Sequence, residues 1–104
     1  MRMKITQYGY PDDPYMDSET KRGNGAYHKL EEGVSCALTD SAAQALGISK
    51  HGWVRIDFPA GGSQTRRYDD RAPEKDERVD LYNPKGFEHG IPDHAEVSVS
   101  HGAH

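Results

Sequence analysis

The sequence has almost no cysteine and no long apolar run, and each absence excludes a class of protein. Cys36 is the only cysteine in 104 residues, so no internal disulfide and no paired-cysteine metal or redox site can form. No apolar stretch approaches the roughly 18 residues of a membrane span, and the opening MRMKIT lacks the apolar region of a signal peptide. We therefore expect no membrane insertion. We also expect Cys36 to be buried and inert, because Val34 and Leu38 flank it.

An excess of one charge sign is also missing. The chain has 13 Lys and Arg against 17 Asp and Glu, for a formal net charge of −4, and the two signs are interspersed. A nucleic-acid partner is not expected, because such partners need a basic patch. The six histidines show no zinc-ligand spacing, and the Asp-rich PDDPYMD lacks the spacing and glycine of an EF-hand. We expect neither a metal nor a cofactor.

Turn residues and short alternating segments are abundant. With 11 glycines and 6 prolines, the chain favours many short elements over long helices, and its length suits one domain covering residues 1–104. Strand patterns occur in MKITQYGY, GVSCALTD, GWVRIDF, QTRRYDD, RVDLY and AEVSVS. DSAAQALGI predicts a short helix with Asp40 or Ser41 as its N-cap and a stop at Gly47, and NPKGFEHG predicts a turn or a single helical turn. Residues 11–25 are expected to form a long binding loop. Six short strands favour a small closed barrel, because closure removes exposed strand edges.

Two motifs carry a resemblance to a known group of proteins. The segment from Asp70 to Pro73, DRAP, followed by RVDL from Arg78 to Leu81, resembles the Asp-Arg-Gly-Pro and Arg-Ile-Asp-Leu pair of double-psi β-barrels. Families with this pair include rare lipoprotein A, the expansins, and the 3D domain of membrane-bound lytic transglycosylase A. The run from GNGAY to HGWVRI is similar to the 3D-domain order of elements, so the likeness covers most of residues 5–99. It implies a mainly β, six-stranded double-psi β-barrel with one or two short helices.

The resemblance also implies a chemistry, namely cleavage of peptidoglycan glycan strands by a lytic transglycosylase. Such an enzyme needs one carboxylic acid, which protonates the glycosidic oxygen and then assists attack by the sugar's own C6 hydroxyl. We assign this role to Asp70 and place Asp80 beside it as a second catalytic carboxylate, which would raise the pKa of Asp70 or hydrogen-bond to the sugar. The alternative for Asp80 is a structural role, in which it accepts backbone N–H bonds at a barrel crossing. Strand alternation predicts that Tyr68 shares the face of Asp70, as a sugar-stacking ring, and that Asp69 takes the opposite face. Which of Asp69 and Asp70 is the acid stays open.

Further substrate contacts are expected from Asp69, Tyr8, Tyr10 and Asp40, while Tyr15 is another ring that could stack on a sugar. Asp40 has a structural alternative as the N-cap of the predicted helix. A non-catalytic, expansin-like polysaccharide-binding module is the alternative function, and a barrel without any sugar site is the third. A cell-wall substrate implies an extracellular or periplasmic monomer whose leader has been removed. A cytoplasmic location is equally compatible with the sequence.

Overall fold

The computed structural model describes residues 1–101, which form six β-strands and two short helices. The strands are β1 (Arg2–Tyr8), β2 (Ser35–Thr39), β3 (Trp53–Asp57), β4 (Ser63–Ala72), β5 (Arg78–Tyr82) and β6 (His94–Ser100). The helices are α1 (Ser18–Lys21) and α2 (Asp40–Leu46). The prediction of a small, mainly β fold with six strands and one or two short helices is confirmed. Residues 102–104 of the expected domain, His104 among them, lie outside the described residues.

The six strands close into a barrel in the order β1-β5-β2-β4-β3-β6. The pairs β1–β5 and β2–β4 are parallel, and the other four pairs, including the closing pair of β1 and β6, are antiparallel. Every one of these strands therefore has two neighbours and no free edge. The order of the motifs predicts that QTRRYDD and RVDLY are adjacent or cross near the motif. The two strands that they form, β4 and β5, are not adjacent. In the structure β2 lies between β4 and β5 and pairs with both.

Alternate side chains along the strands fill the barrel interior. The core contains Met3, Ile5, Cys36, Leu38, Val54, Ile56, Val79, Leu81, Ala95 and Val97. Because neighbouring residues on a strand point to opposite faces, Thr6, Ala37 and Asp80 lie on the outer face of the same strands. The expected burial of the Cys36 thiol is confirmed. No helix within residues 1–101 combines the length and the apolar character that a membrane crossing requires.

Both helices differ slightly from the sequence-based expectation. Thr39, not Asp40, is the N-cap of α2, and its side-chain oxygen accepts a hydrogen bond from the backbone N–H of Ala42 at 3.2 Å. A threonine hydroxyl is as suitable for this bond as a carboxylate, so the pattern alone left the boundary uncertain by one residue. The predicted stop at Gly47 is confirmed, with a left-handed φ of 67°. Helix α1 lies inside the segment that we expected to be loop only.

A β-bulge in β4 overturns one expectation about the aspartates. Cys36 lies opposite Tyr68 and Ala37 lies opposite Asp70, so Asp69 is an extra residue on β4. The prediction that Tyr68 and Asp70 share a face is therefore wrong. Tyr68 points into the core, whereas Asp70 lies on the outer side of the barrel.

Candidate functional site

A cleft of about 680 Å³ lies on the outer face of the barrel, over strands β1, β5, β2 and β4. The segment that follows β1 forms one wall, and residues between β5 and β6 contribute another part. The lining residues that matter here are Thr6, Tyr8, Tyr10, Asp13, Tyr15, Ala37, Asp70, Glu74, Arg78, Asp80 and Phe87. The cleft is therefore built on rigid strands and bordered by the long loop that the sequence predicts as a binding loop.

Four residues form a row across the floor of this cleft. The strand register sets Thr6 opposite Asp80, Asp80 opposite Ala37, and Ala37 opposite Asp70. The two aspartates are thus two strand spacings apart, about 9.5 Å between their Cα positions. The small Ala37 side chain between them leaves the middle of the floor open to a ligand.

Asp80 is the half-buried carboxyl of the row. The hydroxyl of Thr6 donates a hydrogen bond to its Oδ1 at 3.0 Å. Loss of hydration raises the pKa of Asp80 from its ordinary value of 3.8 to about 7, and the negative charges of Glu74 and Asp13 add to the effect. The bond from Thr6 and the positive charge of Arg78 act in the opposite direction. Asp80 can therefore hold or release a proton near neutral pH.

Asp70 is surrounded by hydrogen-bond donors. Its Oδ2 accepts from the Tyr8 hydroxyl at 3.0 Å, and its Oδ1 accepts from the backbone N–H groups of Ala26 at 2.8 Å and Arg71 at 2.9 Å. All three partners donate, which matches a carboxylate that acts as an acceptor. Burial and the nearby Asp70 charge raise the pKa of Tyr8 far above its usual range, so the phenol keeps its proton.

The GNGAY stretch belongs to a loop that contacts β4 at Asp69 and Asp70. Ala26 follows Gly25, and the next backbone N–H groups, of Tyr27 and His28, bind the carbonyl oxygen of Asp69 at 3.0 and 3.1 Å. A Cβ atom at Gly25 would lie 2.6 Å from that same carbonyl oxygen. Glycine is needed at this position because the loop lies so close to β4.

The structure brings together four of the seven predicted site residues. Tyr8, Tyr10, Asp70 and Asp80 all line the cleft, whereas Tyr68, Asp69 and Asp40 do not. Tyr68 is 5% exposed and packs edge-on against Tyr27, with ring centroids 5.4 Å apart. It is therefore not positioned to stack on a sugar in this cleft.

Asp69 and Asp40 are occupied by other partners. Asp69 is completely buried, where it accepts hydrogen bonds from the Ser35 hydroxyl at 2.5 Å and from Arg67 Nε at 2.8 Å. Asp40 is exposed and binds Arg71 through both carboxylate oxygens, at 2.8 and 2.9 Å. These hydrogen bonds from Arg71 hold the pKa of Asp40 below its usual range. Both aspartates have structural roles here.

The sequence-based reasoning missed Thr6, Ala37 and Phe87. Thr6 could have been found, because it precedes Tyr8 by two residues on one strand and so shares its face. No sequence pattern marks Ala37 or Phe87 as a cleft residue. The place of Ala37 depends on the strand register, and that of Phe87 depends on the path of the chain between β5 and β6. Tyr10 and Phe87 meet edge-on at 5.4 Å between ring centroids at the border of the cleft.

Negative charge dominates the cleft. Six carboxylates line it, from Asp13, Asp17, Asp70, Glu74, Asp80 and Asp93, against the two cations Arg71 and Arg78. Each of these arginines also binds a carboxylate outside the lining: Arg71 contacts Asp40 at 2.8 Å and Arg78 contacts Asp76 at 2.9 Å. The field therefore favours neutral or cationic ligand groups over anions. Within residues 1–101, no three His, Cys, Asp or Glu side chains are grouped so that they could hold a metal ion.

No protein-family model matches the chain, and a search of curated proteins finds no similar sequence.

Proposed function

We propose that this protein cleaves glycan strands with a single aspartate that acts first as acid and then as base, in the manner of lytic transglycosylases. The observation that carries the proposal is the place of Asp80: its carboxyl lies in the floor of an open cleft, where loss of hydration raises its pKa to about 7. A group of this acidity is suited to both steps at neutral pH, because it gives and takes a proton with little bias.

The proposed reaction balances without water. The proton of Asp80 passes to the glycosidic oxygen, the bond from that oxygen to the anomeric carbon breaks, and the leaving sugar departs as an alcohol. The Asp80 carboxylate then removes the proton of the C6 hydroxyl of the remaining sugar. That oxygen attacks the oxocarbenium-like carbon to close a 1,6-anhydro ring, and Asp80 is protonated again.

Asp70 and Asp80 lie on strands that are separated by β2, with Cα positions about 9.5 Å apart. In our proposal Asp70 transfers no proton, and its oxygens stabilise the positive charge that develops on the sugar.

This assignment exchanges the roles that the motif resemblance implied. In the assignment from the resemblance, Asp70 is the acid and Asp80 is its neighbour. Asp70 now accepts three hydrogen bonds, whereas Asp80 has the raised pKa that a general acid needs. The proposal therefore keeps the mechanism and moves the proton to Asp80.

The substrate class follows from the resemblance alone. The closed barrel, with parallel pairs β1–β5 and β2–β4, is compatible with the double-psi type. We extend the proposal to that barrel type and to peptidoglycan as substrate. Such a substrate would place the protein in the periplasm or outside the cell.

The test is incubation with purified sacculi, followed by mass spectrometry of the soluble products. We expect 1,6-anhydro muropeptides from the wild type, and at least a hundred-fold less from Asp80→Asn. The matched control is Asp57→Asn, since Asp57 is a strand aspartate paired with Arg55 outside the cleft and should keep full activity. Products with ordinary reducing ends would instead indicate hydrolysis by an activated water.

A non-catalytic polysaccharide-binding module is the second candidate. Tyr15 is 92% exposed and Phe87 is 46% exposed, and both line the cleft. Exposed rings beside a cleft are suited to stacking on sugar faces, whether or not a bond is cleaved. Binding to sacculi without any product, abolished by Tyr15→Ala, would favour this candidate. Neither binding nor product would exclude both.

A further inference from the structure

Thr6 is the neighbour of Asp80 on the next strand. The two residues lie opposite each other in the parallel β1–β5 pair, and the Thr6 hydroxyl donates to Asp80 Oδ1 at 3.0 Å. A β-branched side chain has few rotamers on a strand, so the hydroxyl is held in place before any ligand arrives. Both side chains line the cleft.

We propose that Thr6 is a positioning residue: it fixes Asp80 so that Oδ1 is the accepting oxygen and Oδ2 carries the transferable proton into the cleft. The inference rests on the proposed role of Asp80 as the acid. A carboxyl that is free to rotate would present either oxygen, and the proton would then face the glycosidic bond only part of the time. The hydroxyl removes that freedom, because a bond to Oδ1 leaves Oδ2 for the proton.

The other charged and titratable groups near Asp80 do not provide the same restraint. Glu74 and Asp13 carry like charge and repel the carboxylate. Arg78 attracts it, but the Arg78 guanidinium is held by Asp76 at 2.9 Å and lies 3.7 Å from Glu74. Asp70 is two strands away and is bound by Tyr8. Burial and the charges of Asp13 and Asp80 raise the pKa of Tyr10, so its phenol is neutral and does not attract the carboxylate.

The experiment is a carbon-13 NMR titration of the Asp80 carboxyl in the wild type, in Thr6→Val and in Thr6→Ser. Valine keeps the shape of threonine and removes the donor, whereas serine keeps the donor. In Thr6→Val we expect the titration midpoint to rise by about one pH unit, the effect of losing one hydrogen bond to the charged form. Thr6→Ser should titrate like the wild type. A Thr6→Val midpoint equal to that of the wild type would overturn the inference.

A second measurement covers the case in which Thr6→Val does not fold. In the wild type, the carbon resonances of the Thr6 side chain should titrate with the same midpoint as Asp80, near pH 7. Thr6 resonances whose chemical shifts do not change around this pH would contradict the inference. If glycan is cleaved, the alkaline limb of the pH–rate profile should move upward in Thr6→Val, while kcat falls and KM stays constant. If the midpoint shifts but no glycan is ever cleaved, the coupling of Thr6 to Asp80 stands and the proposed function fails.

Discussion

Replacing Asp80 by asparagine should make the protein more stable while it abolishes the proposed activity. In the folded protein the pKa of Asp80 is about 7, against an ordinary value of 3.8 that describes the unfolded chain. Below pH 4 the carboxyl is neutral in both states and has no effect on the free energy of unfolding. As the pH rises from 4 to 7, the unfolded state loses its proton first, so the wild type loses stability.

The size of the effect follows from the two pKa values. Their difference corresponds to about 4 kcal/mol at 1.36 kcal/mol per pKa unit, which is an upper limit. Asp80 keeps some contact with solvent because it lines the open cleft, so we expect about half of this limit, about 2 kcal/mol. Asparagine keeps the bond from Thr6 and has no charge to desolvate. The free energy of unfolding of Asp80→Asn should therefore exceed that of the wild type by about 2 kcal/mol at pH 8 and equal it near pH 4.

Urea denaturation at several pH values between 4 and 8 measures this difference. For a domain of about 100 residues, 2 kcal/mol also corresponds to roughly 10 °C in Tm. Asp57→Asn is the control and should follow the wild type across the range. A constant difference between Asp80→Asn and the wild type at all pH values would refute the reasoning, because the gain must grow with ionisation of the wild-type carboxyl.

Three further predictions concern single positions. Asp69→Asn should lower the free energy of unfolding by about 3 kcal/mol in urea denaturation, because both buried Asp69 oxygens accept hydrogen bonds from Ser35 and Arg67 and the amide would turn an N–H donor toward one of these donors. An unchanged midpoint would contradict the structural role of Asp69. Ala37→Leu should close the floor between Asp70 and Asp80 and prevent sugar binding, measured by calorimetry with glycan oligomers, while Ala37→Ser should bind normally. Cys36 should react with thiol reagents only at the rate of unfolding, because burial raises its pKa and excludes the reagent; rapid labelling of the native protein would disprove this.

The fold was more predictable from the sequence than the site. Segments with a clear period of two, such as GWVRIDF, became strands close to their expected bounds, here β3 (Trp53–Asp57). Helix α2 and its stop at Gly47 followed from local chemistry as well. Helix α1 was missed because four residues give no periodic signal, although its N-cap Asp17 was visible in the sequence.

The site depended on features that local patterns do not encode. The resemblance brought attention to Asp70 and Asp80, and both line the cleft. The bulge at Asp69 could not be foreseen, because an extra residue is defined only by the partner strand β2. The raised pKa of Asp80 likewise depends on burial by segments far away in the sequence. Of the two adjacent aspartates in RRYDD, Asp69 is therefore buried and Asp70 lines the cleft. Strand alternation alone placed Tyr68 on the face of Asp70, whereas Tyr68 points into the core.

The closing pair of strands has a consequence for how the chain reaches this structure. Strand β1 is hydrogen-bonded to β5 and β6, whose residues follow it by about 75 and 90 positions in the sequence. Barrels dominated by such distant contacts fold in milliseconds to seconds rather than microseconds. During synthesis, at about 5–20 residues per second, β1 must wait for several seconds until β6 emerges. Its apolar side chains, Met3 and Ile5, are exposed during that interval, which makes the nascent chain a natural target for chaperones.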